Sequence, residues 1–286
     1  MLSDSGVKYI IGATRAWKAE AFVLLLAGAG SGVALQMRIA ETTQRVAAFR
    51  GEMLMCGRFT LHASPEQIAA QFDVAEPEQL ADRFNIAPTQ PVGIVRLDRT
   101  ATEREWTHVH WGLIPSWAKD PGMGARMINA RGETVAEKPS FRAALKRRRC
   151  LVPADGFYEW KRTGSSKQPY HIRLQDQQLF AFAGLWEIWT APDGTELQSC
   201  TVITTEPNEL MAQLHDRMPV IVAPEDYEQW LGTGKDADAK EIEQIRHLIR
   251  PFDARQMEAY PVSTRVNSPM NEGAALIEPL PPVKNS

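Results

Sequence analysis

From about position 56 the chain breaks into short apolar runs separated by turn residues, and the spacing inside each run predicts an element. Residues 56–61 open as a strand. Ser64-Pro65-Glu66-Gln67 then reads as a helix start: a serine N-cap, proline at the first helical position, and Gln67 placed to close a capping box. Ile68 and Phe72, four apart, give that helix its buried face. Residues 92–97 and 105–114 predict strands, and Ser140 is expected to cap a short helix through Arg147. Runs of β-branched and aromatic residues at 150–152, 156–161, 170–174, 179–188 and 198–204, separated by Gly, Pro, Asp and Ser, predict further strands. Pro207 is expected to open a helix carrying Leu210 and Leu214, before a strand at 220–222, helices at 224–231 and 239–249, and an extended end from 260 to 269.

Strands outnumber helices and do not alternate with them regularly, and after Met55 neither a repeat nor a long linker divides the chain. The reading is α+β: a single domain over 55–286 built around a largely antiparallel, barrel-like β-sheet with flanking helices. Residues 1–54 stand apart as an upstream extension. Lys8, Arg15 and Lys18 precede an apolar run at 21–27, too short and glycine-rich for a transmembrane helix but similar to a signal h-region. A signal, a processed leader and sequence read from a mis-assigned start codon compete; the last is preferred, because nothing downstream looks secreted.

Composition narrows the function. Hydrophobic residues at 44% and charged residues at 23% exclude disorder and fibre, and a net charge of −3 excludes a global basic field for nucleic acid. The three cysteines, Cys56, Cys150 and Cys200, form no CxxC, which points to a reducing, cytoplasmic setting and to no disulfide framework or zinc ribbon. His108 and His110 alternate on a strand without a third ligand, so no metal is expected. Glycine-rich phosphate loops, G-x-S-x-G elbows and H-E-x-x-H helices are absent.

Four polar residues remain as candidates for chemistry. Met55-Cys56 has the form of a translation start, and loss of Met55 would leave Cys56 with an α-amine beside its thiol, titrating near ~8 and ~8.5. Such an aminothiol condenses with an aldehyde to an imine and closes to a thiazolidine; the plain alternative is a small buried apolar residue. Glu159 falls on the face of Phe157 in an aromatic strand, where burial suits proton shuttling, or else on an exposed face as solvated charge. Taken alone, His215 and Asn129 read first as structural groups, a hydrogen-bonded histidine and a turn-stabilising amide. The run 146–149 reads as a solvated helix end, while Arg58, Trp117, Arg131 and Arg217 are the ingredients of a groove for single-stranded nucleic acid.

Taken in order, Met-Cys-Gly-Arg-Phe-Thr at 55–60, Arg-Phe-Asn-Ile-Ala-Pro at 83–88, Trp-Gly-Leu-Ile-Pro-Ser-Trp at 111–117, Ile-Asn-Ala-Arg-Gly-Glu-Thr at 128–134, the segment at 149–160, His-Asp-Arg-Met-Pro at 215–219 and Val-Asn-Ser-Pro at 266–269 resemble the SOS-response-associated peptidase (SRAP) family of abasic-site processing proteins. The resemblance implies covalent capture of abasic sites in single-stranded DNA through a thiazolidine on Cys56, with autoproteolytic removal of preceding residues and a lyase-type reversal. It implies Glu159 as proton shuttle, His215 as the acid that favours the open sugar, and Asn129 as a hydrogen-bonding group of the site. Arg58, Asn85, Trp117, Arg131 and Arg217 fall where the family contacts DNA. No cofactor is implied, nor membrane association, and the protein is expected to act as a monomer in the cytoplasm at replication forks. The 54 residues ahead of Met55 depart from the pattern, since they leave the Cys56 nitrogen acylated. Two other readings stand beside this one: a thiol peptidase using Cys56 with His215 as base and Asn129 or Glu159 orienting it, and a non-catalytic reader of single-stranded DNA.

Overall fold

The computed structural model describes residues 57–281, apart from 79, 99 and 101; the expected extension at 1–54 and Cys56 lie outside the described residues. Strand β1 (Phe59–Leu61) is followed by helix α1 (Pro65–Phe72), which begins where its capping chemistry dictates. The Ser64 hydroxyl accepts from the Gln67 amide and the Gln67 side chain accepts from the Ser64 amide, while Ile68 and Phe72 are fully buried. Next come β2 (Arg83–Ile86), β3 (Pro91–Leu97), β4 (Arg104–Trp111), β5 (Asn129–Arg131), α2 (Arg142–Arg147), β6 (Arg149–Ala154) and β7 (Gly156–Thr163). Then follow β8 (Ser166–Leu174), β9 (Phe180–Thr190), β10 (Glu196–Thr205), β11 (Met218–Pro219), β12 (Ile221–Val222), α3 (Tyr227–Leu231), α4 (Ala239–Ile245) and β13 (Met257–Pro261).

These strands make an α+β fold with two curved layers. In the larger, β10-β4-β3-β6-β9 closes on itself because β9 pairs back onto β10, giving a five-stranded barrel. All its pairings are antiparallel except β4 with β10. The second sheet runs β13-β8-β7-β1-β2, antiparallel throughout. The layers meet through aromatic edges: the Phe59 ring lies 5.2 Å from Trp111 and 5.8 Å from Phe182, and Phe157 lies 5.9 Å from Phe182. Such edge-to-face pairs add to burial.

Strand β10 sets the positions of the segments around the site. Along one edge, β4 pairs at Ser199 and Cys200, and β5 continues at Val202 to Thr204, so β4 and β5 lie end to end. At Thr204 and Thr205 β11 takes the opposite edge, where β9 has peeled away. The segments 129–131 and 218–219, far apart in sequence, thus flank the same few residues.

The structure changes several details of the expected elements. Helix α2 starts after Phe141, not at Ser140, and has no side-chain cap. The helix expected from Pro207 shrinks to a 3-10 turn, Met211–Gln213. Asn208 takes over that stretch: its carbonyl accepts from the Met211 amide and its amide donates to Phe252 O at 2.7 Å, satisfying the backbone without a longer helix. The expected helix at 239–249 ends at Ile245 and tightens into a 3-10 turn. Arg149 is not a solvated helix end. It is 5% exposed and donates to Trp230 O, Leu145 O and Glu241 Oε1, so a buried guanidinium fastens α3 and α4 to the barrel. Gly232, at φ +75°, permits this: a Cβ there would lie 2.0 Å from Arg149 Nη2.

Candidate functional site

The two faces of β7 have different neighbours. Phe157 belongs to the core shared with the barrel, and the period of two puts Glu159 on the same side. Tyr158 and Trp160 face the other way, against Val262 and Val266. Glu159 is 3% exposed, which excludes the solvated-charge alternative. The β1–β7 register pairs Phe59 with Phe157, and Tyr158 N donates to Arg58 O at 3.0 Å. The strand pairing itself stops at Phe59, two residues after Gly57. A small cleft opens beside them, lined by Arg58, Phe59, Trp111, Phe157, Phe182, Val202 and Pro219.

The far wall of this cleft is the end of β10. Val202, in the lining, is the register partner of Asn129, and Pro219, also in the lining, pairs with Thr204. Asn129 therefore stands beside the cleft at the start of β5, with Arg131 exposed two residues on. His215 lies just ahead of β11 and is half-buried. Its Nδ1 is 3.1 Å from the Arg217 amide and 2.9 Å from Asp216 Oδ1, partners with opposite demands. With Nδ1 bare the ring accepts from the amide and carries its proton on Nε2; with Nδ1 protonated it donates to the carboxylate. Arg217 forks onto Glu133 at 2.5 and 2.8 Å and also donates to Thr204 O at 2.8 Å, tying the turn before β11 to the turn after β5.

Arg58, at the rim of the cleft, sends its guanidinium away from it to Asn85 and the 266–271 loop. Asn85 is 0% exposed; its amide donates to Val266 O, Ser268 O and Asn271 O, and its carbonyl accepts from Arg58 at 2.8 Å. Arg58 also donates to Val266 O at 2.7 Å and Asn267 O at 3.3 Å. Burial lowers the Arg58 titration from its ordinary value. Both residues clamp the 266–271 loop. Trp117 is 56% exposed on a turn closed by Ala118 N to Pro115 O, with Trp189 Nε1 donating to Ala118 O at 2.7 Å. The indole is thus presented to solvent from a fixed base.

The sequence reading missed a polar network behind β1 and β7. Asp155, 7% exposed, accepts from the Thr60 hydroxyl and from the His62 and Ala63 amides. His171, 1% exposed, lies 3.4 Å from Thr60 Oγ1 and 3.0 Å from the Tyr260 hydroxyl. Burial pushes its titration down to about 3, helped by Arg173 and His62. Asp155 sits at the bend between β6 and β7 and His171 inside β8, each an ordinary place for a polar residue, so only the cross-strand pairing of His171 with Tyr158 and Tyr260 signals the network. Among the described residues no group of three or more His, Cys, Asp or Glu is arranged to hold a metal, and no helix is long and apolar enough to cross a membrane.

Comparison with known proteins agrees over nearly the whole described region. The family described as SOS response associated peptidase (SRAP) matches residues 55–269. The chain is 47% identical over 228 residues to "Abasic site processing protein YoqW" of Bacillus subtilis (strain 168), covering 78% of this chain and 99% of that one. It is 38% identical over 197 residues to "Abasic site processing protein HMCES" of Xenopus tropicalis, covering 61% of this chain and 57% of that protein. A solved structure from Bacteroides thetaiotaomicron superposes with a TM-score of 0.69 at 28% identity, covering 79% of this chain and all of the other.

Proposed function

This chain belongs to the SOS response associated peptidase family, and from that premise we propose that it processes abasic sites in single-stranded DNA by forming a covalent adduct through Cys56. The names of its relatives support the substrate. The observation that carries the reading is the burial of Glu159, a carboxylate on the side of β7 that Phe157 presents to the cleft, where Phe157 pairs with Phe59, three residues after Cys56.

The chemistry follows from an unacylated Cys56. Its α-amine titrates near ~8, well below a lysine at ~10.4, so a neutral fraction is present at physiological pH. The amine adds to the C1′ aldehyde of the ring-opened deoxyribose. Glu159 takes the proton from nitrogen and returns one to the departing hydroxyl, which leaves as water, giving the imine. The thiolate then adds to the imine carbon, nitrogen regains a proton, and the thiazolidine closes. His215 donates from Nε2 to the ring oxygen, favouring the open sugar, and Asn129 hydrogen-bonds the reacting group. Arg131 and Arg217 pair with phosphates and Trp117 stacks on a base. Arg58 and Asn85 serve the DNA contact through the 266–271 loop they hold. The active form begins at Cys56, residues ahead of it being removed, and it works as a monomer.

The test is incubation of the Cys56-start protein with an abasic single strand, followed by a denaturing gel. A retarded band is expected, lost in Cys56→Ala; an undiminished band in that variant refutes the mechanism. Intact mass of the protein from its own cells checks the processing, where a persistent Met1 species is the contrary result.

A further inference from the structure

The fork between Arg217 and Glu133 joins two partners in unequal surroundings. The Arg217 side chain is 13% exposed and that of Glu133 is 51% exposed. Both terminal nitrogens of Arg217 are taken: Nη1 and Nη2 grip the two carboxylate oxygens, and Nη2 also reaches Thr204 O. This is the two-pronged edge with which a guanidinium recognises a phosphate, filled here by a carboxylate of the same chain. The Nε–H is buried with no hydrogen-bond partner among the described residues. Glu133 also lies in the field of Arg131, and the hydrogen bonds from Arg217 lead in holding its carboxyl below the ordinary range. At neutral pH the carboxylate is therefore charged and sits between two arginines.

Resting on the DNA-binding reading above, we infer that Glu133 is an internal phosphate mimic: it occupies the Arg217 fork in the free protein and gives way to a backbone phosphate of a single strand. The geometry sets which partner moves. Arg217 is pinned by Thr204 O from β10, and its own amide faces His215 Nδ1. Glu133 stands on the turn after β5, with its backbone neighbour Gly132 tied to Thr204 O at 2.8 Å but its carboxylate open to water. Displacing the carboxylate costs little because water solvates it, whereas withdrawing Arg217 would leave a buried cation unpaired. The exchange keeps Arg217 aimed before DNA arrives and weakens binding to any strand that brings no phosphate to that point.

The experiment measures anisotropy of a fluorescein-labelled, undamaged oligodeoxythymidine with the full 286-residue chain at several salt concentrations. Glu133→Gln keeps a hydrogen-bond acceptor for the fork while removing the charge; affinity is expected to rise about 3- to 10-fold at low salt, with a salt slope steeper by up to about 0.7, the value of one further phosphate on a single strand. Glu133→Asp keeps the charge but shortens the reach, so it should tighten binding too. In the Arg217→Gln background both gains should vanish, since no fork remains to be released. A gain of equal size with and without Arg217 overturns the exchange in favour of general charge repulsion. Weaker binding in both Glu133 variants, with unchanged thermal melts, overturns it in favour of a permanent brace. Failure of the unsubstituted chain to bind the strand also overturns it. The abasic-site gel is a separate readout: loss of the covalent band with the double-mutant pattern intact removes the Cys56 mechanism and leaves the exchange standing.

Discussion

The two faces of the β1–β7 layer are made from alternate residues of the same strands and do opposite work. The face toward the barrel carries Phe59, Phe157 and Glu159 around a cleft, with one buried carboxylate among aromatic rings. The reverse face carries Arg58, Thr60, Tyr158 and Trp160, and nearly every polar atom there is tied: Tyr158 to Phe84 O, Trp160 to Asn267 Oδ1, Arg58 to two carbonyls and Asn85. The contrast teaches that a buried carboxylate is backed by a layer whose own polar groups are paired. The front keeps chemistry available, and the back spends its hydrogen bonds on holding the strand still.

The comparison breaks most sharply at Glu159. Glu159→Gln should slow adduct formation about a thousandfold, within the range of a lost general acid–base group, and slow reversal as well, while leaving the melting temperature nearly unchanged. Single-turnover time courses on denaturing gels check the first, and thermal melts the second. Asn85→Ala attacks the reverse face instead. It removes three bonds to carbonyls and one to Arg58, so a loss of about 2–3 kcal/mol in urea denaturation is expected, with a fall in adduct rate per folded molecule smaller than that of Glu159→Gln.

Acid probes the same layer through His171 on β8, and the barrel through His110 on β4. His171 is held neutral with its titration down at about 3, and His110 at about 4, both by burial, against ~6.5 in the unfolded chain. Here the unfolded state binds the extra protons, so this stability is complete above about pH 6.5 and drains as pH falls toward those values. Between pH 7 and 5 a decline of about 2 kcal/mol per histidine is expected in urea denaturation, and His171→Gln should remove its share. The smallest effect belongs to Tyr260→Phe, which deletes only the hydroxyl beside His171 Nδ1; under about 1 kcal/mol is expected.

Local signals in the sequence were enough for the parts of this fold that depend on neighbours along the chain. Ser64, Pro65 and Gln67 specify a helix start by themselves, and the alternation around Glu159 specifies which face it takes. Pairing between distant segments left no such trace. The pairings of β4 with β10 and of β3 with β6, the flanking of Thr204 by β5 and β11, and the burial of Arg149 by Trp230 and Glu241 all join residues whose own surroundings look ordinary. Asn85 shows the limit most clearly. Its motif marked it as important, yet nothing within 83–88 says that its amide would end on the carbonyls of 266, 268 and 271.

That clasp has a consequence for biosynthesis. The loop it grips leaves the ribosome after nearly every other described element, so an incomplete chain has both sheets' sequences in hand but no cover for Arg58, Asn85 and Tyr158. Until residues 262–276 emerge, a guanidinium and an amide meant for the interior stay wet, and the layer that backs Glu159 stays loose. Chains cut short of that loop should therefore be unstable, and the adduct proposed above should form only once the loop is in place.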